Sequence, residues 1–145
     1  MHADRNRTTD LQYQALAELR YTLRKFLRFS ENAARAAGIT PQQHQAMLAI
    51  KGFGKHGSMN IGDLAERLQI LHHSAVGLVD RLVAEKYLRR MHDEKDRRHV
   101  HLVLTARGEA ILEKLSATHR EQLHQLGPQI RLLMESLQSE GRPKN

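Results

Sequence analysis

Between residues 60 and 108 the hydrophobic period of the chain changes twice, which limits the folds open to it. Ile61 to about Leu68 and about His72 to Lys86 carry apolar residues at helical spacing. In the second stretch Ala75, Leu78, Val79 and Leu82 form the stripe. Tyr87 to His92 then reads as a strand. Val100, Leu102 and Leu104 alternate with His99, His101 and Val103, the pattern of a strand with one buried face. Helical spacing returns after Thr105, through Ile111, Leu112, Leu115 and Leu123. The charged run Asp93 to Arg98 therefore falls at the tip of an antiparallel hairpin set between helices.

The flanks are helical. Leu11, Ala15, Leu16, Leu19, Leu23, Phe26 and Leu27 predict one long helix to about Ala37, stopped by Gly38. Thr40-Pro41-Gln42-Gln43 combines a capping box with proline at the first helical position, so a second helix follows and buries Ala46, Met47 and Ile50. GFGKHG, residues 52 to 57, matches a dinucleotide-binding pattern. It follows a helix and has no βαβ unit around it, so a flexible interhelical loop is the better reading. Asn60 is placed to cap the third helix, with Asp63 near its positive end. Gly127-Pro128 is expected to break the fifth helix and leave a final short one carrying Ile130, Leu133 and Leu137. The fold class is mainly α with a small β-hairpin, in a single domain over residues 1–145.

Composition narrows the function. The formal charge is +7 with histidine neutral, which favours a polyanionic partner, either nucleic acid or an anionic membrane surface. There are no cysteines, which excludes disulfides and thiolate metal sites and is compatible with the cytoplasm. No apolar run approaches the roughly 20 residues of a membrane span, and MHADRNRTTD lacks the core of a signal peptide. No nucleophile elbow, Walker loop or metalloprotease helix is present, so no enzyme and no cofactor are expected. The ten histidines include the pairs His99/His101 and His72/His73. Neither pair supplies the three or four convergent ligands of a zinc site, and no metal is assigned.

Two short helices joined by a tight turn, with a hairpin directly after the second, describe a winged helix-turn-helix. The major groove of DNA admits one helix, whose N-terminal residues reach base edges. The hairpin extends over the backbone, where cations at its tip meet phosphates or enter a narrow minor groove. Lys95, Arg97 and Arg98 are those cations. Asp96 is expected to orient an arginine by a charge-assisted hydrogen bond. With the apolar stripe of the fourth helix turned to the core, His72, His73, Ser74, Val76 and Gly77 lie on or near the opposite face and are the candidate base contacts. Arg81 is placed against a phosphate or an acid, and Asp80 in a structural ion pair.

DRRHVHLVLTARG resembles the wing of the MarR family: Asp96 and Arg98 two apart, then Leu104-Thr105, then Gly108. IGDLAERLQI and AVGLVDRLVAEKYLRR are similar to that family's helix-turn-helix. The resemblance covers roughly residues 11 to 139 and is most specific from 60 to 108. It implies a homodimeric transcriptional regulator, often a repressor, on a palindromic double-stranded DNA operator. Dimerisation helices at about 11–37 and 106–139 would flank a winged lobe at about 40–105. The resemblance also implies release by a small aromatic or anionic effector. Its place would be a crevice between the lobes, toward which Tyr21, Arg24, Arg28 and His44 are the candidate residues. The sequence departs from the family at Leu71, where a Ser cap is common. The alternatives are a metal- or pH-responsive regulator and a protein-interaction module without DNA.

Overall fold

The computed structural model describes residues 7–54 and 59–139. The order is α1 (Asp10–Ala36), α2 (Pro41–Phe53), α3 (Ile61–Leu68), α4 (His72–Ala84), β1 (Leu88–His92), β2 (Val100–Leu104) and α5 (Ala106–Ser139). The later part of GFGKHG lies outside the described residues.

Local chemistry accounts for the element ends. Gly38 takes a left-handed φ of 89°, and Ile39 N–H then returns to the Ala34 carbonyl at 3.1 Å, closing α1. Thr40 and Gln43 form a reciprocal capping box at the start of α2, and Asn60 and Asp63 do the same for α3. Gln69 ends α3 in the left-handed region at φ 53°. That conformation costs roughly 1 kcal/mol for an L-residue. Here the Gln69 N–H reaches the Ala65 and Glu66 carbonyls, and its side-chain amide donates to the Glu66 carbonyl at 2.8 Å. The turn between α3 and α4 is thereby fixed by one glutamine.

The chain divides into two compact units, and the division falls inside α1 and inside α5. Glu31–Ala117 is the winged unit. The end of α1 and the start of α5 thus belong with the hairpin, beyond the 40–105 limits expected for that lobe. Its core joins Met47, Ile50, Leu64, Leu78, Val79, Leu82, Leu88, Leu102 and Leu112. The strands pair antiparallel from Leu88↔Leu104 to His92↔Val100. On the far edge of β2, Leu102 N–H donates to the Met59 carbonyl at 2.9 Å.

Thr105 ties this unit together. Its hydroxyl donates to the Lys86 carbonyl at 2.6 Å and accepts from Gly108 N–H at 3.1 Å, capping α5. Its own N–H donates to the Tyr87 carbonyl at 3.1 Å. One side chain thus joins the α4–β1 turn to the start of α5. Thr105→Ala is expected to lower stability by about 1–2 kcal/mol, and Thr105→Ser to restore most of it. Urea unfolding checks this; an alanine variant as stable as the parent would remove the latch from the account.

Residues 7–30 and 118–139 form the other unit. There Ser30 and His119 Nε2 are hydrogen-bonded at 2.8 Å, and Phe26 and Phe29 present their rings to the imidazole at 5.9 and 5.5 Å. α5 runs without interruption through Pro128, which corrects the expected break and short final helix. The clash that drives a pre-proline residue out of the helical region involves its Cβ. Gly127 has none, and a Cβ added there would meet nothing within 4 Å. That part of the clash is absent, while the missing proline amide and the ring against the carbonyl one turn back remain as costs.

Candidate nucleic-acid interface

α4 buries Ala75, Leu78, Val79 and Leu82, and this stripe determines what it presents outward. His72, His73, Ser74 and Arg81 are exposed, and Val76 and Gly77 are half-buried. The helix opens at Leu71, 67% exposed, which provides no side-chain acceptor to the first turn. The acids bordering Arg81 are engaged elsewhere. Asp80 is ion-paired with Arg90 of β1, and Glu85 accepts from the Gln43 amide at 3.0 Å. Arg81 Nε donates to the Gly77 carbonyl one turn back, at 3.3 Å.

The wing tip is built by its acidic residues. Asp93 Oδ1 accepts from Lys95 N–H at 3.0 Å, and Asp93 N–H donates to the His99 carbonyl at 3.0 Å. Asp96 Oδ1 accepts from the Arg98 amide at 3.1 Å and from Arg98 Nε at 3.2 Å. Its Oδ2 accepts from Arg98 Nη2 at 3.4 Å, with His99 Nε2 at 3.5 Å. Arg98 is still 91% exposed along its side chain, so it is aimed without being covered. Among the described residues the side chains of Lys95 and Arg97 have no ion-pair partner. The acids in the run therefore do not neutralise the tip; they shape it.

The Arg98 guanidinium and then the Arg98 amide hold the Asp96 carboxyl below the usual carboxylate range, with a smaller contribution from His99. A lowered pKa in the folded state means that the ionised contact is complete above the ordinary carboxylate value. It is lost only as pH falls through the lowered one. The tip keeps its arrangement across the neutral range.

The candidate effector residues do not share one unit. Tyr21, Arg24 and Arg28 are exposed on α1 among residues 7–30, and Lys25 Nζ lies 4.8 Å from the Tyr21 ring centroid. His44 is in the winged unit and only 3% exposed. An open polar groove within the winged unit, bordered by Arg35, Thr40, Gln43, Arg81 and Glu85, was not foreseen from the sequence. Gln69 and Thr105 also shape the interface from behind. Their signal was weak, because a left-handed glutamine and a threonine bonded across nineteen positions have no local periodicity.

Residues 37–99 match the model of the MarR family. The fold is a winged helix-turn-helix, and over these residues the chain is similar to the MarR family. The chain is 34% identical over 80 residues to the HTH-type transcriptional repressor MdtR of Bacillus subtilis (strain 168), covering 55% of this chain and 50% of that protein. It is 30% identical over 84 residues to the transcriptional activatory protein BadR of Rhodopseudomonas palustris, covering 58% of this chain and 48% of that one. The chain spans about half the length of these curated relatives, which are regulators of transcription and not enzymes. A mutant of MepR from S. aureus, solved bound to an oligodeoxyribonucleotide, superposes with a TM-score of 0.68 at 18% identity. That match covers 94% of this chain and all of the other. At that identity the likeness speaks for the fold. No helix among the described residues is long and apolar enough to cross a membrane.

Proposed function

We propose that this MarR-family chain is a transcriptional regulator that binds a palindromic double-stranded DNA operator as a homodimer. It acts in the cytoplasm as a repressor and leaves DNA when a small aromatic or anionic effector binds. The observation that carries the DNA reading is the wing tip: Arg98 is oriented by Asp96 yet exposed, beside Lys95 and Arg97, which have no ion pair among the described residues. His72, His73, Ser74, Val76, Gly77 and Arg81 supply the recognition surface on α4. The homodimer is supported by exposed apolar side chains on the terminal helices, among them Leu11, Leu27 and Leu132. Repression is the role of the relative MdtR, and Tyr21, Arg24, Arg28 and His44 are the effector candidates.

A salt titration with duplex DNA tests the reading. Binding to a selected palindrome, with half-sites about one helical turn apart, should weaken steeply as salt rises. No preference for any duplex at low salt would end it. Sedimentation of the free protein checks the dimer independently.

A further inference from the structure

We infer that Arg81 is the base-reading residue of α4, recognising a guanine in the major groove through two parallel N–H donors, and that Gly77 is the residue that positions it. The inference rests on the DNA-binding reading and goes beyond it, since an exposed arginine on such a helix serves equally well as a phosphate anchor.

Arg81 is the one arginine or lysine on α4 (His72–Ala84). It stands in the last third of the helix, whereas base edges are met by the N-terminal part of a recognition helix. Its side chain closes that gap. Helical side chains lean toward the N-terminus, and the Nε bond to the Gly77 carbonyl at 3.3 Å fixes the lean at one full turn. That bond leaves the terminal Nη1 and Nη2 donors for a planar acceptor pair such as guanine O6 and N7.

Gly77 makes the path available. A Cβ built there would meet one group, Arg81 Nη2, at 4.0 Å. The guanidinium therefore lies over bare backbone, where a longer side chain would contest the space. Nothing else in the fold calls for glycine at this position: its φ is not positive and no neighbour crowds it. Glycine in a helix interior lowers stability relative to alanine, so an explanation outside helix propensity is needed.

The competing partners are accounted for. Asp80 is held by Arg90 and Glu85 by Gln43, and Arg81 has no ion pair among the described residues. Glu31 and Glu85 border the polar groove next to Arg81, which disfavours a small anion there.

Selection of random duplexes by the full chain tests this, with Arg81→Lys, Arg81→Ala, Gly77→Ala and Gly77→Met run beside the parent and thermal melting recorded for each. The parent should enrich a G·C pair at one position of each half-site. Arg81→Ala and Arg81→Lys should both lose roughly ten- to hundred-fold of the discrimination at that pair alone. Gly77→Ala should lose less of the preference than Gly77→Met, since a methyl group meets Arg81 Nη2 only at 4.0 Å. Gly77→Met should lose it with no fall in melting temperature. Retention of the preference by Arg81→Lys would overturn the inference. So would a uniform loss over all duplexes in Arg81→Ala, with the salt slope reduced by about one, the mark of a phosphate contact. Failure of the parent to enrich any duplex would overturn the DNA-binding reading itself, a result visible before any variant is compared.

Discussion

Gly108→Ala is expected to destabilise the winged unit by about 3 kcal/mol or more, lowering the melting temperature by roughly ten degrees. A Cβ at this position would lie 2.2 Å from the Tyr87 carbonyl oxygen and 3.2 Å from its carbon, with Leu104 Cδ2 at 3.4 Å. The first two obstacles are backbone and have no rotamer to change. Relief requires α5 to withdraw from the α4–β1 turn. That movement stretches the bond from Thr105 N–H to the Tyr87 carbonyl and the cap from Thr105 to Gly108 N–H. Gly52→Ala is the control, because a Cβ there meets nothing within 4 Å. Thermal and urea unfolding of the two variants decide the matter. A Gly108→Ala protein melting with the parent would mean that α5 does not pack this closely.

The second large effect concerns binding. Arg97→Ala together with Arg98→Ala is expected to lower affinity for duplex DNA on the order of a hundred-fold. This takes about tenfold, roughly 1.4 kcal/mol, for each cation. The dependence on salt should flatten as well, because fewer counterions are released. The melting temperature should hardly move. Arg98 is exposed, and its ion pair with Asp96 is of the surface kind, which adds little to stability. Asp96→Asn should fall between, since the charge of Arg98 remains while its orientation loosens. If the double variant loses fold and binding together, the two arginines are structural and the wing reading fails.

The features legible in the sequence were those with a period or a local cap. The stripe of α4, the alternation in β2 and the capping boxes at Thr40 and Asn60 each lie within a few residues of one another, and each appears in the structure. Other features depend on what a residue meets across the chain. Gly127-Pro128 reads as a stop when taken alone, yet α5 continues through it, and the glycine brings no Cβ to the pre-proline clash. Thr105 reads as a helix cap, whereas its second role depends on a carbonyl nineteen positions away. Gly108 belongs to a recognisable pattern, but its reason is the Tyr87 backbone beside it. On α4, the outward face of His72, His73 and Ser74 was readable from the apolar stripe. The isolation of Arg81 was not, because it depends on Asp80 and Glu85 each finding another partner.

The root of the hairpin is fastened to its surroundings by the Asp80–Arg90 pair, by Tyr87 N–H on the Leu82 carbonyl, and by Thr105 on Lys86. Bending the arm at its base would break all of these at once. On the proposed reading, an effector would therefore have little to gain from folding the arm away. It would have to carry arm and α4 along as a single block, and in the proposed homodimer the quantity left to adjust would be the spacing between two such blocks.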